Sequence, residues 1–215
     1  MKINVLWTTM VTEAEQKAIL SGVRQFVNAL SIPKESIKVY GSSRFVKNGK
    51  VNSANNILAN ASRVGRLVES TNINKELMKE FKNEIVVLVT PRNLAGDGNY
   101  VFGYTSAPCS TISIGQFRRL DPFWRHWAIV SIVMHELGHT HGMACPDPKN
   151  KRKTIRYSYG YHCTNPGCIM RQSYGVNEFV NHVKDAIDKG RFFCPDCINE
   201  AITANRRKGW YQNPR

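Results

Sequence analysis

An α/β (α+β) fold is predicted from three features of the chain. Strand-length apolar runs alternate with helical periodicity over the first half, a long helix apolar nearly all round occupies the middle, and cysteine pairs gather toward the C-terminal end. The 215 residues suffice for one sizeable domain, or for a domain with a small appended lobe. No internal repeat or low-complexity linker is visible, and no apolar run is long enough to span a membrane.

Taken in order, residues 3–8 read as a strand and residues 12–30 as a helix, with Val23, Phe26, Val27 and Leu30 on its apolar face. Residues 37–40 read as a second strand. Asn52 or Ser53 caps a helix expected to run through residue 68, and a shorter helix is expected at 75–81. Residues 84–90, around the run Ile85-Val86-Val87-Leu88-Val89, read as a buried strand. The segment 100–104 then leads to a further strand over 111–117. Near the C-terminal end, Phe179, Val183 and Ile187 mark an amphipathic helix that carries His182 as a packing or surface residue.

The central helix starts at Asp121-Pro122, with Asp as N-cap and Pro at the first helical position. From Phe123 to Gly142 only Gly138 weakens it, and residues 127–134 are apolar nearly all round, as in a helix packed on more than one side. Its last turns read His135-Glu136-Leu137-Gly138-His139-Thr140-His141-Gly142. Histidines four apart lie on one helix face and can aim at one metal ion, and Glu136 borders that face. Zinc lowers the pKa of a bound water to about 7, and a neighbouring carboxylate can take its proton during attack on a peptide carbonyl. The competing reading is a chance HExxH on a buried helix, which would leave costly histidine and glutamate side chains buried without partners. His141 lies roughly 200° round the helix from His139 and cannot share its metal. His126 faces the opposite side.

A catalytic zinc takes three protein ligands and keeps one open position. The residue three beyond Gly142 is Cys145, Asp147 is a more distant candidate, and His162 comes later in the run His162-Cys163-Thr164-Asn165-Pro166-Gly167-Cys168-Ile169-Met170. The residues alone leave all three open. Cys163, Cys168, Cys194 and Cys197 form two pairs that read best as a four-cysteine zinc site. Disulfides, or a redox Cys194–Cys197 pair, are the alternatives. Cys109 is expected to be an ordinary small buried residue.

The order HExxHxxG, then HC-x4-C-x-M, then CxxC resembles the archaemetzincins, and Val101-Phe102-Gly103 and Asn52-Ser53-Ala54 are similar to that family as well. The resemblance covers most of the chain, although only the metal motifs are specific. It implies that His135, His139 and His162 hold a catalytic zinc, with Glu136 as general base and acid. Cys163, Cys168, Cys194 and Cys197 would hold a structural zinc, and Met170 would be the Met-turn residue beneath the imidazoles. The implied fold is a metzincin-like twisted mixed sheet with an antiparallel edge strand, a central active-site helix and a small C-terminal four-cysteine zinc lobe. Residues 1–142 would form the N-terminal subdomain and 143–215 the C-terminal one, within one compact catalytic domain. The chain departs from the family in an insertion, residues 143–161, between Gly142 and His162, and in a longer stretch from Met170 to Cys194. By the same resemblance, residues 110–116 would be the edge strand that pairs with an extended peptide substrate.

The formal charge of +14 includes Lys149, Lys151, Arg152, Lys153 and Arg156 in the insertion, interleaved with Tyr157, Tyr159 and Tyr161. A solvated basic loop, a rim favouring acidic peptides and a nucleic-acid patch are the readings of this charge. The leading function is a zinc metallopeptidase, aminopeptidase-like on short peptides, acting on peptide or protein substrates as a monomer. The alternative is a catalytically weak or inactive basic zinc protein that binds nucleic acid. No signal peptide is visible at the N-terminal end, since the apolar run at residues 3–7 is short and Glu13 follows. With free-thiol chemistry, this places the expected location in the cytoplasm, away from membranes.

Overall fold

The structure, a computed structural model, describes residues 2–47, 50–82, 84–96, 99–145, 155–157 and 160–207. Strand β1 (Ile3–Trp7) is buried along its whole length. Helix α1 (Glu13–Ala29) starts at a capping box: the Glu15 N–H donates to the Thr12 hydroxyl, and the Thr12 N–H donates to the Glu15 carboxylate. Strand β2 (Ile37–Gly41) runs parallel to β1. A small antiparallel hairpin of β3 (Phe45–Lys47) and β4 (Lys50–Asn52) leads to α2 (Ala54–Asn60), capped by the Ser53 hydroxyl.

The helix expected to reach residue 68 ends at Asn60. The chain instead forms a tight hairpin of β5 (Arg63–Val64) and β6 (Leu67–Glu69), closed by Gly65 at φ 59° and Arg66. Val64, Gly65 and Val68 are poor helix formers, and pairing of β6 with a later strand completes the override. Helix α3 (Ser70–Phe81) accordingly starts at Ser70 rather than at residue 75.

Strands β7 (Ile85–Thr90), β8 (Leu94–Gly96), β9 (Asn99–Val101), β10 (Gly103–Ser106) and β11 (Cys109–Ser113) follow. The main sheet has the order β10-β11-β7-β1-β2 and is parallel except for β10, which runs antiparallel to β11. A second sheet has the order β5-β6-β8-β9. The strand expected over 111–117 therefore begins at Cys109 and stops at Ser113, and Gly115–Arg119 is a short 3-10 helix. Gly115 lies so close to the Pro91 carbonyl oxygen that a side chain there would overlap it. The edge strand is β10, and β11 is interior. Residues 110–116 thus cannot be the exposed edge.

Helix α4 (Pro122–Thr140) is capped by Asp121, which accepts from the N–H groups of Phe123 and Trp124. Residues 128–138 are buried, in keeping with the apolar run. Gly22 of α1 permits the close crossing of the two helices, since a Cβ there would stand 2.7 Å from the Val130 carbonyl oxygen. Strands β12 (Ile155–Tyr157) and β13 (Tyr161–Cys163) form a hairpin, followed by α5 (Val176–Asp188) and α6 (Pro195–Arg207).

The two-residue period of β7 divides its side chains between two apolar layers. Ile85, Val87 and Val89 join the core with α1 and α4, and Val86 and Leu88 join the core with α2 and α3. The first core continues into the C-terminal part of the chain through Cys163, Ile169, Met170, Phe179, Phe193 and Ala201. Among the described residues, no helix is long and apolar enough to cross a membrane.

Candidate metal centres

Two groups of ligating side chains converge: His135, His139 and His162, and Cys163, Cys168, Cys194 and Cys197. Within each, the ligand atoms all lie within 4.8 Å of one another. One short strand serves both groups. His162 and Cys163 are consecutive on β13, and consecutive strand residues point to opposite faces. The described end of the insertion holds that strand in place: in the β12–β13 register Arg156 stands opposite His162, and Tyr157 and Tyr161 pack ring to ring at 5.0 Å.

In the imidazole group, the Nε2 atoms of His135 and His139 are 3.0 Å apart. A tetrahedral ion with metal–nitrogen bonds of about 2.0–2.1 Å would set its ligands about 3.3 Å apart, so a small adjustment suffices. His135 Nδ1 donates to the Ile169 carbonyl oxygen at 2.6 Å, which fixes the tautomer and leaves Nε2 as the lone pair facing its neighbours. Burial, with His162 close by, pushes the pKa of His135 down to about 3. Burial and the other two rings hold His139 well below its ordinary value too. Neutral imidazoles are the form that binds a metal.

Glu136 is buried beside this group, and burial pushes its pKa up to about 7 against the pull of a hydrogen bond from Thr105. Thr105, on the edge strand, donates to Glu136 Oε2 at 2.6 Å. Behind it, the hydroxyls of Thr105 and Ser110 are 2.7 Å apart and those of Ser110 and Thr140 are 2.8 Å apart, and Thr140 donates to the Glu136 carbonyl oxygen at 3.0 Å. Gly103 leaves the room that the carboxylate occupies, since a Cβ there would stand 2.6 Å from Glu136 Cγ and closer still to the carboxyl carbon. A cleft of about 240 Å³ opens onto His135, Glu136 and His162.

The sulfur group fits a closed tetrahedral site. Sγ atoms are 3.8 Å apart for Cys163–Cys194 and 3.7 Å for Cys168–Cys197. A tetrahedron with metal–sulfur bonds of about 2.3 Å has edges of about 3.8 Å. These separations are far beyond a disulfide bond, and the described cysteines are all free thiols. Backbone N–H groups of Asn165 and Cys194 donate to Cys163 Sγ and Cys168 Sγ, and Cys197 lies in the first turn of α6. Hydrogen bonds among the four thiols push Cys163 and Cys194 toward the ionised form and Cys168 and Cys197 toward the protonated one.

Eighteen per cent of positions are identical to the archaemetzincin of Methanopyrus kandleri, whose solved structure matches at a TM-score of 0.63 over 96% of both chains. The archaemetzincin of Archaeoglobus fulgidus, solved in complex with malonate, matches at 0.58 with 17% identity, over 93% of this chain and 99% of that one. The fold is that of the archaemetzincins. A zinc-dependent peptidase of Methanocorpusculum labreanum has a TM-score of 0.60 and 19% identity, over 93% of this chain and all of that one. No family model and no curated protein matches the chain.

Within this archaemetzincin fold, His135, His139 and His162 come together in one place and Cys163, Cys168, Cys194 and Cys197 in another. Cys145 does not join them; it is exposed and outside both groups. Asp147 lies outside the described residues, as do Lys149, Lys151, Arg152, Lys153 and Tyr159 of the insertion. Met170 is fully buried against Gly138, where a Cβ would overlap its Sδ. His141 packs on Phe26 with ring centroids 4.7 Å apart, away from the imidazole group. His182 is buried and hydrogen-bonded to Ser173 at 2.8 Å. Cys109 is buried in the second core, and burial raises its thiol to about 12. Sequence reasoning missed Thr105 and the carbonyl of Ile169, and it noted Gly103 only as part of a family-like segment and not as a neighbour of Glu136. Only the cross-strand register, which pairs Thr105 with Ser110, reveals the first of these as a partner of Glu136.

Proposed function

We propose that the chain is a zinc-dependent metallopeptidase, with one catalytic zinc on His135, His139 and His162 and one structural zinc on Cys163, Cys168, Cys194 and Cys197. The observation that carries the reading is the convergence of three imidazoles beside a buried Glu136 at the floor of an open cleft. Zinc in the imidazole group would supply Lewis acidity and lower the pKa of a water to about 7.

The other roles belong to the chain. Glu136 accepts the proton of the attacking water at its carboxylate and hands it to the leaving amine, and a carboxylate with a pKa near neutrality suits both transfers. Thr105 holds that carboxylate in place. Ile169 fixes the tautomer of His135, and Met170 backs the ligand-bearing turn of α4 through Gly138. The extended substrate backbone pairs with the antiparallel edge strand β10. Action on short peptides is aminopeptidase-like. The four-cysteine zinc ties β13 to the start of α6 and so supports His162 from behind.

Replacing Glu136 by Gln should leave both zinc ions bound and abolish peptide hydrolysis. Hydrolysis retained by that variant at wild-type zinc content would reject the mechanism. Salt-dependent binding to DNA or RNA by a zinc-loaded protein without peptidase activity would favour a nucleic-acid-binding role instead.

A further inference from the structure

The cleft is apolar over much of its wall, with Tyr100, Phe102 and Phe179 among its lining. Apart from the histidines, Arg171 is the only cationic side chain among the described residues that line it. The turn that carries Met170 also places Arg171, whose backbone N–H donates to the Cys168 carbonyl oxygen. Among the described residues the guanidinium makes no hydrogen bond. Its single ion pair among them, to Asp185, is at 3.6 Å, with side-chain exposures of 31% and 49%. That distance is too long for a good N–H···O bond, and exposed pairs of this kind contribute little. Apart from this loose pair, no acceptor among the described residues takes the five N–H donors of a guanidinium that lines the cleft. Next in the chain, the Gln172 side chain donates to the Ser173 carbonyl oxygen. Gln172 lines the same cleft.

We propose that Arg171 forms a carboxylate-reading subsite, in which the guanidinium takes a carboxylate of the substrate. The inference rests on the peptidase reading, which it sharpens: preferred substrates carry a negative charge near the bond that is cut. The chemistry follows from the inventory of unmet groups. A planar donor fork matches a carboxylate in bidentate fashion, and a poorly solvated wall strengthens such a pair relative to one in open water. A lysine or arginine side chain in this place would meet a like charge. A neutral side chain would leave the donors unmet. The carboxylate has two sources, an aspartate or glutamate side chain or the C-terminus of a short peptide.

The test uses the zinc-loaded full chain and matched peptides. One pair differs only by Glu against Gln beside the cleaved bond, and a second differs only by a free against an amidated C-terminus. A carboxylate in the subsite should raise kcat/KM about 10- to 100-fold in one pair, which identifies the source. The preference should survive high salt, where the screening length falls to about 3 Å and the long-range attraction of the chain's +14 charge is lost. In Arg171→Gln the ratio between matched peptides should approach one, and in Arg171→Glu it should invert toward a lysine peptide. Equal rates for both wild-type pairs would overturn the proposal without any variant being made, as would an unchanged ratio in a folded Arg171→Gln. If no peptide is cut at all, the peptidase reading fails, and equilibrium titration with the same pairs still decides the subsite. Tighter binding of the acid form, lost in Arg171→Gln, upholds it, and equal binding removes it.

Discussion

Replacing Gly138 by Ala should destabilise the protein, although intrinsic propensity favours the change. An interior helical glycine costs about 1 kcal/mol relative to alanine, so the substitution would stabilise a bare helix by that amount. Here the added Cβ would overlap Met170 Sδ and stand 3.1 Å from both Met170 Cε and Met143 Sδ. Met170 and Met143 are 0% and 1% exposed, so neither thioether has free volume to move into. Overpacking of this kind costs about 1–3 kcal/mol, and the flexibility of methionine keeps the value in the middle of that range. The net loss is about 1 kcal/mol, or a fall in Tm of roughly 2–4 °C for a chain of this size. Thermal unfolding with zinc in excess measures it. In a Met170→Ala background the pocket is vacated, and Gly138→Ala should then stabilise by about 1 kcal/mol. The double-mutant cycle should therefore show coupling of about 2 kcal/mol between the two positions. A Gly138→Ala protein that melts higher than wild type, with an additive cycle, would refute the contact as the reason for glycine here. Displacing Met170 also moves its neighbour Ile169, whose carbonyl orients His135, so zinc affinity at the imidazole group should fall together with the Tm.

Thr105→Val removes the hydroxyl that donates to Glu136 at 2.6 Å while keeping the shape, and it should lower kcat about 10- to 100-fold at unchanged zinc content, with Thr105→Ser recovering most of the loss. A wild-type kcat in the valine variant would show that Glu136 needs no such support. Glu15 bears on stability at low pH. Burial works against its ionisation, but hydrogen bonds from Arg118 and Thr12 outweigh it, so its folded pKa lies below 4.5. A carboxyl depressed on folding contributes above its unfolded pKa and loses that contribution as pH falls through the folded one. Glu15→Gln should therefore cost about 1–2 kcal/mol at neutral pH, discounted for the part-exposed Arg118, and progressively less in acid. A wild-type-minus-variant difference in Tm that stays constant from pH 7 to below the ordinary carboxylate range of about 4 would contradict this assignment.

Local chemistry made much of the fold readable. The apolar periodicity of residues 12–30, Ser53 before α2, and Asp121-Pro122 before α4 mark three helix starts to within a residue. The run 85–89 marks a strand buried on both faces. Reading failed where pairing partners decide. Residues 61–69 have no strong local preference, and they become a hairpin because β6 finds β8. Strand β11 lost its expected place at the edge because β10, too short to stand out in the chain, pairs outside it. Arg171 and Thr105 carry no motif at all: a turn places the first at the cleft, and a strand register places the second beside Glu136.

The identity and spacing of the candidate ligands are written along the chain, because a helix repeats every 3.6 residues and a CxxC turn can present two sulfurs to one ion. Which of His162, Cys145 and Asp147 joins His135 and His139 was not written there. His162 is separated from His139 by an insertion that sequence alone could not measure in space, and Cys145 sits at the more conventional spacing. Long-range pairing, with β13 held between β12 and the Met170 segment, brings His162 to the helix and leaves Cys145 outside. Sequence distance sets which residues share a helix face or a turn, whereas contacts between distant segments depend on how the whole core closes.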